Sequence, residues 1–258
     1  MATVAAVDIA MSPRIEGAGT PESAWRRSPW LAALPMLDAG AWLAGIRRLV
    51  VVAPHPDDEA LGAGGLIATA RAAGLDVRVV SVTDGEACYP GVDAWPAARL
   101  RAARRRELAR AMACLGVCAG AITSLDLGDG HVAAQERVLS DALRPLLRSG
   151  DRVLTTWRGD GHPDHEACAR GVERAAAACA ADVVQFPVWA WHWMSPDVAV
   201  APLPEAFRCR LPAAACSAKA KALACFASQL RSDDPAVPPI LPPHVLARFG
   251  RGFEVLLR

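Results

Sequence analysis

The stretch VVVAPHPDDEALGAGG, Val50–Gly65, decides the fold. Val50–Ala53 is short, apolar and rich in β-branched residues, the mark of a buried strand. It passes without a linker into Pro54, His55, Pro56 and three acids, Asp57, Asp58 and Glu59, and a small-residue helix follows from Ala60 to Ala73. In an open α/β sheet the ligand crevice lies beyond the carboxyl ends of the strands. A histidine and neighbouring acids therefore stand where a site is expected. Adjacent acids cannot share one helix face, and a turn has little structural use for both. Glu59, in the first helical turn, suits the helix dipole and is read as a supporting residue.

Working outward, strands and helices alternate. Strands are expected at 47–53, 76–84, 121–127, 151–157 and 182–191. Helices are expected at 60–73, 95–115, 133–147 and 164–180. This alternation predicts βαβ units and a Rossmann-like, mostly parallel α/β sheet with helices on both faces. Beyond Trp193 an edge strand is expected at 207–212 and a helix at 213–230, then a proline-rich loop at 233–244. Residues 1–46 read as an N-terminal extension with a short helical lead-in, its first twenty residues aperiodic and expected to be mobile. Residues 47–258 read as a single domain. The glycines of LGAGGLIA do not fit a dinucleotide fingerprint, because the third would fall at Ile67; close packing of helix on strand explains them better.

A second cluster, GDGHPDHEA (159–167), follows the strand ending at Trp157. A catalytic zinc asks for three His or carboxylate ligands and one open position. His55 and Asp58, three apart, can turn to one point, and His165 can arrive from the second loop. Asp57 is then free for proton transfer and His162 for stabilising an oxyanion or protonating a leaving group. That division explains why the acids are adjacent.

Composition narrows the function classes. The formal net charge is +1, with no basic tail, so nucleic acid is not an expected partner. No apolar run is long enough to span a membrane, and the start MATVAAVDIAMSPR lacks the basic and apolar regions of a signal peptide. Eight cysteines form no C-x-x-C pair and read as small hydrophobes in a reducing cytoplasm.

At these residues the sequence resembles the PIG-L/LmbE-like family of zinc-dependent N-deacetylases that act on N-acetylglucosamine groups. The matching motifs are P-H-P-D-D-E with a following G-x-G-G (Pro54–Glu59, Gly62–Gly65) and H-P-D-H (His162–His165). T-x-G-E stands at Thr83–Glu86, an R-x-x-E helix carries Arg104 and Glu107, and Asp129-Gly130 follows the third strand. The resemblance implies zinc, or another divalent ion such as Fe2+, on His55, Asp58 and His165. It implies Asp57 as general base and His162 as the charge-stabilising or general-acid histidine, with Asp164 orienting it; whether Asp57 or His162 is the general acid is left open. The substrate would be a small amino sugar or glycoconjugate; a metal hydrolase of another amide or ester class, or a non-catalytic scaffold, are the alternatives. Arg104, Asp84 and Trp191 are the candidate substrate contacts. The sequence departs from the family at Phe226, where many members carry a histidine. Oligomeric state is left open.

Overall fold

The computed structural model describes residue 15 and residues 17–196, 205–232, 234 and 236–258. Its strands are β1 (Met36–Asp38), β2 (Arg48–Ala53), β3 (Asp76–Ser81), β4 (Ile122–Ser124), β5 (Arg152–Thr156), β6 (Asp182–Phe186), β7 (Phe207–Arg210) and β8 (Phe253–Leu256). The helices are α1 (Glu22–Arg26), α2 (Pro29–Ala33), α3 (Ala39–Leu43), α4 (Asp58–Ala72), α5 (Ala97–Cys114) and α6 (Glu136–Leu143). They continue with α7 (Pro163–Cys179), α8 (Ala190–Trp193), α9 (Ala213–Leu223), α10 (Ala227–Leu230) and α11 (Pro243–Leu246).

Strands β2 to β6 form one sheet in the order β4-β3-β2-β5-β6, and every neighbouring pair is parallel. All six residues of β2 are buried. Alternate side chains feed opposite faces: Leu49 and Val51 join Leu66, Ile67 and Met112 of α4 and α5, while Val50 and Val52 join Leu139, Leu143 and Val172 of α6 and α7. Burial on both faces explains the unbroken valine run, at ~1.5–3 kcal/mol for each valine withdrawn from water. The chain runs outward from β2 to β4, then returns to lay β5 against the other side of β2. The switch point therefore falls between β2 and β5, and the two histidine–acid loops follow these two strands.

Helix α4 lies close on its neighbours. A Cβ on Gly62 would sit 1.9 Å from the Phe186 ring, and one on Gly65 would meet Leu211 at 2.3 Å. The glycines serve close packing, as expected.

Four features differ from the sequence reading. A second, three-stranded sheet has the order β1-β7-β8, with β1 parallel to β7 and β8 antiparallel to it. The lead-in is thus woven into the body through β1, and Trp25 packs edge-on against Trp191 at 4.9 Å. Second, the fifth strand stops at Phe186 before Pro187, and 190–193 turn into a helix. Third, the helix expected over 213–230 breaks between Leu223 and Ala227, with Phe226 wholly buried at the break. Fourth, most of the segment 1–20 lies outside the described residues, but Ala18 and Thr20 are fastened by Arg248, whose guanidinium donates to both carbonyls.

Candidate metal centre and its cavity

Three side-chain atoms meet at the β2–β5 switch point. His55 Nδ1 and Asp58 Oδ2 lie 3.2 Å apart, His165 Nε2 and Asp58 Oδ2 3.3 Å, and the two nitrogens 3.3 Å. A tetrahedral ion with ligand bonds of about 2.0–2.1 Å has ligand–ligand edges of about 3.3 Å. The triangle matches one face of such a tetrahedron, and its donors are two imidazoles and a carboxylate.

The outer nitrogens are also engaged. His165 Nδ1 lies 2.8 Å from Asp160 Oδ2, and His55 Nε2 lies 3.0 Å from Asp129 Oδ1 and 3.4 Å from Asp164 Oδ2. A neutral imidazole carries one N–H. Giving it to the outer carboxylate leaves the inner lone pair for a metal, the usual carboxylate–histidine arrangement of metal sites. Two further donor groups share His55: His55 with His162 and His165, and His55 with Asp129 and Asp164, the latter on the other nitrogen of His55. The two acids of the latter group also accept backbone N–H groups, Asp129 from Ala87 at 2.8 Å and Asp164 from Gly130 at 2.7 Å, as Asp58 Oδ2 does from His55 at 3.0 Å. The triangle of His55, Asp58 and His165 is taken as the candidate centre because its edges of 3.2–3.3 Å fit a tetrahedral ion and the outer nitrogens of both histidines face carboxylates.

The electrostatics favour positive charge there. Burial alone would depress the histidines, yet Asp58 and Asp160 lift His165 to about 9, and Asp129, Asp164 and Asp58 hold His55 well above its ordinary value. Burial would raise Asp58, but His165 and His55 keep it below the usual carboxylate range. A divalent cation satisfies the same field by replacing the histidine protons.

The adjacent acids are separated by backbone conformation. Asp57 has φ 140° and ψ −31°, a region that side-chain-bearing residues rarely enter. The kink leaves Asp58 in the triangle and brings Asp57 Oδ2 to 2.9 Å from Arg104 Nη2. Burial raises Asp57 to about 7 although Arg104 opposes the shift. Glu59 is fully buried and accepts the Asp57 N–H at 3.2 Å. Burial, reinforced by Asp57, lifts it to about 8. Its task is to hold the strained residue in place.

His162 lines the same cavity, its ring 4.9 Å from that of His55 and 4.6 Å from that of His165. Its Nδ1 accepts the Asp164 N–H at 3.2 Å and so caps α7, which leaves the ring proton on Nε2. Burial, then His165 and His55, lower it to about 3, so it is a neutral donor. The contact between Asp164 and His162 thus runs through the backbone. The Asp164 carboxylate instead grips Gly130 N and Val132 N and faces His55.

The cavity measures about 270 Å³. Asp57, Arg104, Asp129 and Gln229 form polar surface, and Trp189, Ile240 and Leu241 an apolar wall. Of the three expected substrate contacts only Arg104 lines it. It is buried, donates to Pro56 O and Gly85 O as well as to Asp57, and its Nε has no partner. A Cβ at Gly85 would lie 2.5 Å from this guanidinium, so the glycine makes room for it. Asp84 is turned away and bound by Arg105 at 2.6 Å. Trp191 is buried between Trp25 and Arg251; Trp189 takes the cavity position. Asp129 and Asp160 received no role from the sequence reading, although both stand inside the motifs it quoted.

A parallel α/β sheet with a buried His–Asp–His donor triangle at its switch point defines the class: an α/β protein with a candidate metal site. Residues 50–176, just under half of the chain, match the family model PIG-L, described as GlcNAc-PI de-N-acetylase, so the chain carries a PIG-L (LmbE-like) domain over these residues. It is similar to the 1D-myo-inositol 2-acetamido-2-deoxy-alpha-D-glucopyranoside deacetylase of Mycolicibacterium gilvum (strain PYR-GCK), 36% identical over 169 residues, which cover 54% of this chain and 57% of that protein. The match spans less than two thirds of that relative, as it does for the relative from Rhodococcus jostii (strain RHA1), 34% identical over 57% of this chain and 58% of that protein. Among solved structures, the zinc inhibited form of teicoplanin deacetylase Orf2 has the same fold, with a TM-score of 0.61 at 19% identity over 81% of this chain and 97% of that one.

Proposed function

We propose that this protein is a metal-dependent N-deacetylase that hydrolyses the acetamide of an N-acetylated amino sugar or its conjugate. The observation that carries the reading is the meeting, on one cavity, of the donor triangle, the Asp57 carboxylate and His162. The relatives' described activities point the same way.

His55, Asp58 and His165 would hold the ion; zinc is our first assignment, and Fe2+ suits the same donors. The ion's contribution when bound is to polarise the amide carbonyl and acidify water. Asp57, lining the cavity and steadied by Arg104, takes the proton of the attacking water. His162 donates its Nε2 hydrogen to the oxygen on which negative charge develops. Because His162 is a neutral donor, Asp57 also delivers the proton to the departing nitrogen. The cavity has room for about one sugar ring, with Trp189 offering an aromatic face. We further propose that the enzyme works in the cytoplasm, supported by its cysteine usage; among the described residues no helix is long and apolar enough to cross a membrane.

The test is mass-spectrometric screening of N-acetylated amino sugars, free and glycosidically substituted, with the metal-loaded and chelator-stripped protein. Loss of one acetyl group from at least one sugar, abolished by chelation and restored by added zinc or Fe2+, is expected. Hydrolysis of esters or other amides with every acetamido sugar untouched would overturn the assignment.

A further inference from the structure

Away from the cavity, two thiols stand together. Cys114 closes α5 and Cys225 follows α9, and their Sγ atoms lie 3.9 Å apart although 111 residues separate them in the chain. Cys114 is exposed and Cys225 half-buried. A disulfide needs about 2.05 Å between sulfurs, so the two thiols, now at 3.9 Å, must draw closer to bond.

The position connects to the site on both sides. Helix α5 carries Arg104, which binds Asp57, and Glu107, which accepts the N–H of Ser228 at 2.8 Å and its Oγ–H at 2.7 Å. Ser228 lies three residues beyond Cys225, and Gln229 lines the cavity. Glu107–Ser228 is thus a polar tie between α5 and the broken helix, and the two thiols sit where a second, covalent tie would run.

We propose that Cys114 and Cys225 are a reversible oxidation site, forming an intramolecular disulfide by exchange with a low-molecular-weight disulfide. The accessible Cys114 thiolate attacks one sulfur of the small disulfide, making a mixed disulfide and releasing one small thiolate. The Cys225 thiolate then attacks the Cys114 sulfur, forming the protein bond and releasing the second. Two protein thiols lose their protons, the small disulfide takes two electrons, and two small thiols result. Burial and the neighbouring thiol raise the pKa of Cys225, which disfavours it as the initiating nucleophile; its attack in the second step rests on proximity to Cys114. The inference is independent of the deacetylase reading.

The experiment incubates the folded full-length protein with glutathione disulfide and reads intact mass, peptide map and thermal midpoint. The wild type should lose two hydrogen atoms, yield one cross-linked peptide joining Cys114 to Cys225, and gain roughly 5 °C in Tm, reversed by dithiothreitol. Cys225→Ser should stop at a single glutathione adduct on Cys114 without the gain, and Cys118→Ser should behave as wild type. A wild type that accumulates stable adducts on Cys114, or that cross-links through Cys118, overturns the proposal. The wild-type peptide map decides even if a variant folds poorly.

Discussion

The loops after β2 and β5 both carry a histidine, a proline and an aspartate, yet they are held in opposite ways. The first is strained. Asp57 sits at φ 140°, and its fixings come from Glu59 and from Arg104 on a distant helix. The second is braced from within. Pro163 and the His162 cap start α7, and Asp160 accepts the N–H groups of Val188, Trp189 and Ala190 while holding His165. On the proposed reading the strained loop supplies the group that exchanges a proton beside two metal ligands, His55 and Asp58, and the braced loop supplies the third ligand, His165, and the donor His162. Strain at a working residue and rigidity at a metal ligand are what the chemistry asks of each.

Variants that separate the two loops test this contrast. The largest effect is expected from Asp57→Asn, which keeps the backbone shape and the charge-free bulk but removes the base. Turnover should fall about 10³-fold, while metal affinity measured by titration calorimetry stays within about threefold. His162→Gln should lower kcat by roughly 10²-fold with little change in KM, checked by steady-state kinetics. Asp160→Asn acts on His165 and on the backbone of 188–190 and leaves Asp57 untouched. It should weaken metal binding by about 10–100-fold and leave much of the turnover intact at saturating metal. The smallest effect belongs to the aromatic segment: Trp189→Ala should raise KM several-fold, whereas Trp191→Phe should leave KM unchanged and show itself only as a lower Tm. If Asp57→Asn and Asp160→Asn gave the same pattern, the division of labour between the loops would be lost.

The main sheet was legible because it rests on local signals, β2 being a run of six buried residues; that His55, Asp58 and His165 lie close together follows from the two loops after β2 and β5, with Asp58 and His165 in the first turns of α4 and α7. Of the second sheet β7 was legible, as the edge strand expected at 207–212, but β1 and β8 were not: strands of three and four residues are too short to show a period, and the register joins Met36 to Arg208 across most of the chain. The choice of Trp191 over Trp189 has a simple cause. Continuing β6 through 191 would set both tryptophans on one face, but Pro187 ends the strand and the helical turn sends residues two apart to different sides. Asp84 and Asp160 were missed in complementary ways. Both are buried acids in strand-end motifs, and only the folded chain shows that one binds Arg105 and the other His165. The φ of Asp57, which separates the neighbouring acids, is likewise set by Glu59 and Arg104 and leaves no mark in residue spacing.

The central claim is the identity of the metal centre, and an anomalous-scattering map of crystals grown with zinc tests it most directly. The account predicts one ion within about 2.1 Å of His55 Nδ1 and His165 Nε2 and at a similar distance from Asp58, with Asp57 near it but not bound. An ion on His55 Nε2 between Asp129 and Asp164, or one coordinated by Asp57, would contradict it.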